Sequence, residues 1–261
     1  MNISWYQTAT LIVEKEDTKI LFDPFFTITP QRNIYRSEFL ETFQSVDAIV
    51  ITHGHFDHIR DVPEIIKDKD IPVYCTGAPL KMLQKRVGSK ANLKCIAPGD
   101  SFCIGDIEIT AYKGTHASFG LPLILKTVFR KQFWAMLPAV MRIGFNAMFI
   151  EREAKQILVF EVKDGEKSIL ILGSMGLFKE EKYPQNVDLL ALPYQGRSDL
   201  AEYSMKVIET VHPKKVLLTH FNDYCPPISS KVDYTPFLDK MKSSNDPIEV
   251  LVMPLAEKLE V

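Results

Sequence analysis

The segment Thr52-His53-Gly54-His55-Phe56-Asp57-His58 places three imidazoles and one carboxylate within seven residues. It follows an apolar run at residues 46–51, which predicts a buried strand. Glycine and polar side chains in the segment itself favour a loop or the start of a helix. In a loop that leaves a strand end, side chains two residues apart can converge on one point. We therefore predict that His53 and His55 share one metal ion, while Asp57 and His58 face a neighbouring site.

A single histidine in a loop is most often a polar surface group, but three of them with an aspartate at a strand end favour metal binding. The pattern His53-x-His55-x-Asp57-His58 resembles the signature of the metallo-β-lactamase superfamily, whose members are mostly hydrolases with one or two metal ions. The resemblance extends over nearly the whole chain. Within the superfamily, the chain is most similar to the ascorbate-6-phosphate-lactonase-like branch of general metal-dependent hydrolases.

The resemblance implies an α/β fold, a four-layer αβ/βα sandwich of two mixed sheets with outer helices. The pattern of elements agrees, because strands alternate with helices in both halves of the chain. We predict strands at residues 10–15, 19–22, 46–51, 71–76, 93–97, 156–162, 167–172, 187–192, 215–219 and 248–253, a hairpin at residues 101–112, and helices at residues 61–67, 78–87, 200–211 and 235–242. Residues 27–45 are expected to be irregular.

The composition is that of an ordinary globular protein, since 46% of the 261 residues are apolar and 25% are charged. We predict a single domain over residues 1–261. The 31 basic and 33 acidic residues give a net charge of −2, which argues against a nucleic-acid-binding surface. The sequence shows neither a signal peptide nor an apolar run of about 18 residues that could span a bilayer. We expect a cytoplasmic protein whose cysteines are free thiols.

Two later histidines match ligand positions of the superfamily. His116 follows a predicted hairpin and matches the third ligand of the first metal site. His220 follows an apolar strand, as His53 does, and matches the final ligand, on the second metal. The resemblance thus implies a first site and a second site. Their ligands would be His53, His55 and His116 at the first site, and Asp57, His58 and His220 at the second.

The segment Gly173-Ser174-Met175-Gly176 departs from the superfamily, in which most relatives carry an aspartate that bridges both metals. Ser174 occupies that position, and a neutral hydroxyl is a poorer ligand for a hard divalent cation than a carboxylate. We predict one tight divalent metal. Three neutral nitrogens favour zinc, with manganese or iron as alternatives. The second site is predicted to be weak or partial. A catalytically weakened homologue that binds a metal or another ligand remains an alternative, as does an engineered substitution.

The ligand set predicts a hydrolase in which a metal-activated water attacks a carbonyl or phosphoryl centre. Candidate substrates are a lactone, an ester, an amide or a phosphodiester of a small, anionic molecule. Asp57 is expected to orient the water, and His220 to stabilise the oxygen that gains charge. Asp23, which ends a predicted strand, is a candidate to orient a ligand histidine by accepting its second N–H, although it could instead cap a turn.

Tyr194 and Arg197 lie between a predicted strand and a predicted helix and are candidate substrate-binding residues. The Arg197 guanidinium could hold an anionic group with two hydrogen bonds. The alternative is that the following Ser-Asp pair caps the helix while Arg197 stays in solvent.

Residues 119–150 are apolar and basic and predict a helical insertion. Three alternatives stay open for this segment. It could pack on the core or form the interface of a homo-oligomer, it could be a lid over the metals that grips an amphiphilic anion, or it could contact a membrane surface. RNA processing, which some relatives perform, is disfavoured by the net charge.

Overall fold

The computed structural model describes residues 1–26, 36–88, 91–116, 156–222 and 231–261. The strands of these residues are β1 Asn2–Gln7, β2 Thr10–Lys15, β3 Thr18–Phe22, β4 Ala48–Val50, β5 Val73–Cys75, β6 Leu93–Cys95, β7 Ser101–Ile104, β8 Ile107–Gly114, β9 Ile157–Lys163, β10 Ser168–Leu172, β11 Leu189–Pro193, β12 Lys215–Thr219, β13 Glu249–Leu251 and β14 Lys258–Glu260. The helices are α1 Arg36–Phe43, α2 Phe56–Ile59, α3 Val62–Ile65, α4 Gly77–Val87, α5 Leu200–Val211 and α6 Thr235–Lys242.

The strands form two seven-stranded mixed sheets. The first sheet has the order β14-β1-β2-β3-β4-β5-β6, in which β1 to β3 are an antiparallel meander and β3 to β6 are parallel. The second sheet has the order β13-β12-β11-β10-β9-β8-β7, in which β7 to β10 are antiparallel and β10 to β13 are parallel. Each sheet therefore combines hairpins with crossovers, as the predicted α/β sandwich requires.

The inner faces of the two sheets share one hydrophobic core. Phe22 of β3 and Phe160 of β9 are fully buried, and their ring centroids lie 6.0 Å apart across the interface between the sheets. A second cluster lies between the first sheet and its helices, where Leu21 and Ile49 pack with Phe43 of α1 and Leu83 of α4. The strands of the first sheet are apolar on both faces, so this sheet packs against the second sheet on one side and against helices on the other.

The catalytic candidates are carried by strand ends that meet at one end of the sandwich. The loop after β4 contains His53, and its Thr52 carbonyl accepts a hydrogen bond of 2.9 Å from the Leu158 amide of the second sheet. His220 follows β12, and its amide donates to the Thr8 carbonyl of the first sheet at 2.8 Å. These cross-sheet bonds hold the loops of both sheets in a common position.

The fold class predicted from the sequence is confirmed, and several element bounds agree with the structure. The helices predicted at residues 200–211 and 235–242 and the strand predicted at residues 215–219 have the bounds of α5, α6 and β12. The predicted hairpin of β2 and β3 is also present. Three cysteines of the described residues, Cys75, Cys95 and Cys103, are free thiols as expected.

Other expectations were wrong or lie outside the described residues. Residues 36–43 form α1 instead of an irregular connection, because Phe39 and Phe43 are one helical turn apart and both pack on Tyr6. The helix predicted at residues 61–67 is shorter, since α3 spans Val62–Ile65 and the carboxylate of Asp61 before it accepts the Phe26 amide at 2.7 Å. The edge strand β14 was not predicted. The predicted insertion at residues 119–150 lies outside the described residues. Among the described residues, no helix is long and apolar enough to cross a membrane.

Phe160→Ala tests the contact between the sheets. Removing a fully buried ring is expected to lower the free energy of unfolding by about 3–5 kcal/mol, measured by urea denaturation. The half-buried Phe102, which stacks on Tyr74 with a centroid distance of 4.3 Å, supplies the control. Phe102→Ala is expected to cost about 1–2 kcal/mol. Equal losses in the two variants would mean that the ring of Phe160 is not central to the core.

Candidate metal centre

The histidine-rich loop is short because helix α2 begins within it. His53 lies three residues after the end of β4 and is buried. His55 is in an extended conformation directly before α2, and Asp57 and His58 lie in the first turn of the helix. The extended part lets His53 and His55 converge, whereas the helical turn directs the next two side chains to a different point. The change from loop to helix therefore separates the four side chains into two pairs.

The first cluster consists of three imidazoles. The structure brings His116, at the end of β8, to His53 and His55, and one ligand atom of each lies within 4.8 Å of the others. His116 Nε2 is 3.2 Å from His55 Nδ1. The ring centroid of His55 lies 4.6 Å from that of His53 and 4.6 Å from that of His116. No carboxylate belongs to this group of described residues.

The second cluster consists of Asp57, His58 and His220, whose ligand atoms also lie within 4.8 Å of one another. Asp57 Oδ2 is 3.1 Å from His220 Nε2 and 3.7 Å from His58 Nε2. All three side chains are buried. The two clusters adjoin, because the rings of His53 and His58 have a centroid distance of 4.0 Å.

Beneath both clusters lies the buried carboxylate of Asp23. Its Oδ1 accepts the Thr52 amide at 2.8 Å, and its Oδ2 accepts the Thr52 hydroxyl at 2.6 Å and lies 2.8 Å from His58 Nδ1. The contact with a ligand histidine is the one that the sequence predicted for Asp23. Since the Thr52 hydroxyl proton points to Asp23, the hydroxyl oxygen is left to accept the Nδ1–H of His53, 3.0 Å away. Asp23 thus orients one histidine in each cluster.

Burial and neighbouring charges shift the pKa values of His53, His55, Asp57 and His58. Burial lowers the pKa of His53 well below its usual value, and the neighbouring imidazoles lower it further. Burial also lowers the pKa of His55 to about 4, although Asp57 opposes the shift. Burial raises the pKa of Asp57, but His58 and His220 outweigh it and hold the pKa below its usual value. For His58, burial lowers the pKa, but Asp23 and Asp57 outweigh it and raise the pKa.

The segment that carries Ser174 runs between the two ligand-bearing loops. A Cβ atom at Gly173 would lie 2.2 Å from the Thr52 side chain, and one at Gly176 would lie 2.3 Å from the Thr115 carbonyl oxygen. Only glycine allows these close approaches. Ser174, which is 9% exposed, therefore lies between the residue before His53 and the residue before His116.

The predicted substrate-binding residues make other contacts in the structure. Tyr194 is buried, and its ring stacks on Phe237 with a centroid distance of 5.7 Å. The Arg197 guanidinium forms two hydrogen bonds with the Asp199 carboxylate, at 2.8 and 3.0 Å, and lies over the ring of Tyr203. A substrate anion would have to replace Asp199, so the substrate role of both residues stays a prediction.

Sequence analysis missed two residues of the site, Thr52 and Gln195. Gln195 Oε1 lies 2.8 Å from His220 Nδ1, and Thr52 connects Asp23 to His53. The order Thr-His, which occurs at residues 52–53 and again at 219–220, was a signal for Thr52. No comparable signal marks Gln195, because its contact depends on the pairing of β11 and β12.

The donor atoms fit a divalent metal. His58 Nδ1 and His53 Nδ1 each face an oxygen of the residues beneath them, which leaves Nε2 of both rings as the atom available to an ion. Metal-binding histidines typically have such a second contact. Buried imidazoles with low pKa values are unprotonated at neutral pH, as metal ligation requires.

A two-sheet sandwich whose strand ends carry two adjoining histidine clusters defines a metallo-hydrolase of the metallo-β-lactamase type. The sequence model of the beta-lactamase superfamily domain matches residues 18–221. The chain belongs to this family, which places it among the metal-dependent hydrolases of the metallo-β-lactamase superfamily.

Relatives and solved structures agree with this assignment. The chain is 26% identical to a UPF0173 metal-dependent hydrolase of Methanocaldococcus jannaschii over 99% of this chain and 100% of that protein. It is 35% identical to one of Koribacter versatilis, but that match spans only 45% of this chain and 48% of the relative. The fold resembles that of Igni18, a metallo hydrolase from Ignicoccus hospitalis, with a TM-score of 0.70, 21% identity and coverage of 99% and 97%. None of these matches points to the ascorbate-6-phosphate-lactonase-like branch.

His116→Ala is expected to abolish tight metal binding, because two imidazoles remain where three converged. Elemental analysis of the purified variant should give well below about 0.2 ions per chain, against about one in the unmodified protein. His212→Asn is the matched control, since His212 is exposed and lies in the left-handed C-cap of α5, outside both clusters. Full metal content in His116→Ala would show that His116 is not a ligand.

Asp23→Asn is expected to weaken metal binding by about 10–100-fold. Asparagine has one side-chain oxygen, so it cannot accept all the hydrogen bonds that Thr52 and His58 donate to the two oxygens of Asp23. Titration of the metal-free protein with Co²⁺, followed by visible absorption, measures the affinity. Asp47→Asn is the control, since the exposed Asp47 carboxylate also accepts a backbone amide, that of Lys19 at 2.7 Å. Unchanged Co²⁺ affinity in Asp23→Asn would contradict the inference that Asp23 orients His58 directly and His53 through Thr52.

Proposed function

We propose that the protein is a hydrolase of a small, anionic lactone, ester or phosphodiester that uses one tightly bound divalent metal, with zinc as the favoured ion. The observation that carries this proposal is the first cluster, in which three imidazoles and no carboxylate converge. Three neutral nitrogens with one open position are the ligand set of catalytic zinc. Manganese and iron are less favoured, since carboxylate oxygens suit manganese and two histidines with one carboxylate suit non-haem iron.

A divalent metal bound by these imidazoles would supply a Lewis acid that lowers the pKa of water toward about 7. Residues of the chain would orient the water and stabilise the developing charge. The Asp57 carboxylate is ionised and lies at the boundary of the two clusters, where it can accept a hydrogen bond from the attacking water and orient it. His220, 3.1 Å from Asp57, can stabilise negative charge on the carbonyl or phosphoryl oxygen.

Ser174 supports a site with one strong position and one weak one. The glycines on either side of it, Gly173 and Gly176, approach Thr52 and Thr115, the residues before His53 and His116. With a hydroxyl there, the second cluster has only Asp57 as an anionic ligand. We propose that the second position binds a metal weakly or only together with substrate. The lower negative charge of this centre also favours an anionic substrate.

Metal content and turnover test the proposal together. Wild-type protein is expected to hold about one zinc ion per chain, and Ser174→Asp is expected to approach two, because a carboxylate adds a bridging ligand. Ser174→Ala should remain at one, since the hydroxyl is not expected to be a ligand. Two ions in all three proteins would refute the proposed role of Ser174.

Turnover is measured with generic lactone and phosphodiester substrates after addition of Zn²⁺ or Mn²⁺. Hydrolysis that disappears in His55→Ala and persists in His212→Asn supports the hydrolase. The alternative, a weakened homologue that acts as a metal- or ligand-binding protein, is favoured by the loss of the bridging aspartate at Ser174. Tight metal binding without turnover of any substrate in the panel, together with turnover gained in Ser174→Asp, would support that alternative.

A further inference from the structure

We propose that Gln195 is a positioning residue that holds His220 so that its Nε2 atom faces the second metal position. The Gln195 Oε1 atom lies 2.8 Å from His220 Nδ1, where it can accept the Nδ1–H that a ring with Nε2 on a metal carries. The opposite nitrogen of the ring, Nε2, lies 3.1 Å from Asp57 Oδ2. This inference rests on the proposed function, because it takes Asp57, His58 and His220 as ligands of a metal.

The end of the second sheet places Gln195 beside His220. Strands β11 and β12 are parallel neighbours in which Pro193 is paired with Thr219, and the Tyr194 amide donates to the Thr219 carbonyl at 2.8 Å. Tyr194 is anchored in the core against Phe237. Gln195 is therefore the first residue past this anchored end, as His220 is past the end of β12. Arg197, two residues further on, turns to Asp199 instead.

The contact of Gln195 has a counterpart in the same cluster. His58 presents Nδ1 to the Asp23 carboxylate and Nε2 toward Asp57, and His220 presents Nδ1 to the Gln195 amide and Nε2 toward Asp57. Both rings are thus held by an oxygen acceptor on the side away from Asp57. Such an acceptor fixes the ring and the tautomer of a metal-binding histidine. The amide does so without adding a negative charge.

The backbone of His220 makes this support necessary. Its φ angle of 57° lies in the left-handed region, which is uncommon for a residue with a side chain. The hydrogen bond from the His220 backbone amide to the Thr8 carbonyl holds that conformation but does not fix rotation of the imidazole. Gln195 contacts Nδ1 of this ring at 2.8 Å. Removing this contact is expected to let the ring turn and present the other nitrogen.

NMR of the metal-free, ¹⁵N-labelled protein tests the contact directly. A slowly exchanging Nδ1–H signal of His220 is expected in wild type, identified by its absence from His220→Asn. The signal should be lost in Gln195→Ala and retained in Gln195→Glu, because glutamate keeps the acceptor. Gln185→Ala, at an exposed glutamine outside the site, should retain it. Retention of the signal in Gln195→Ala would overturn the proposal.

Metal affinity provides the second readout, in the Ser174→Asp background, where binding of a second ion is measurable. Adding Gln195→Ala should weaken the second Co²⁺ ion by about 10–100-fold and leave the first unchanged, whereas Gln195→Glu should restore it. Equal weakening of both ions, with a lower melting temperature, would indicate a structural role and overturn the proposal. Should Ser174→Asp take no second ion, the proposed function fails at that position, while the Nδ1–H signal still decides the role of Gln195.

Discussion

The centre depends on the hydrogen bonds that the buried carboxylate of Asp23 forms with Thr52 and His58. Burying a charge is costly unless hydrogen bonds and an opposite charge compensate for it. Here the Thr52 amide, the Thr52 hydroxyl and His58 Nδ1 surround the two carboxylate oxygens at 2.6–2.8 Å. The same three bonds tie the end of β3 to the loop after β4 and orient a histidine in each cluster. Satisfying one buried charge therefore also prepares the ligands, before any metal binds.

The centre belongs to neither sheet alone. The first sheet supplies His53, His55, Asp57 and His58 on a single loop, and the second sheet supplies His116 and His220 from strands that are far apart in the sequence. The cross-sheet bonds from Leu158 to Thr52 and from His220 to Thr8 align the two contributions. Core packing between the sheets, with Phe22 against Phe160, thus determines the spacing of the ligands. A change in that packing would alter the metal centre without touching a ligand.

The two clusters differ in charge, because only the second contains a carboxylate. The first contains only imidazoles, and burial lowers the pKa values of His53 and His55, so these two offer neutral nitrogens to a cation. The second contains an ionised carboxylate between two imidazoles. This asymmetry supports the proposal of a centre with one strong metal position, in which Ser174 supplies no bridging carboxylate.

The sequence by itself determined the class of fold and the ligand candidates of the histidine-rich loop, because apolar periodicity and clustered histidines are local signals. His116, His220 and the departure at Ser174 were predicted from the resemblance to the superfamily. Helix α1 was missed because its two phenylalanines gain their stability from Tyr6, which is distant in sequence. The edge strand β14 was missed because its single apolar residue, Leu259, lies between Lys258 and Glu260. Only the tertiary structure decided that Arg197 pairs with Asp199 and that Gln195 contacts His220, since those contacts depend on the register of β11 and β12 and on the turn that follows.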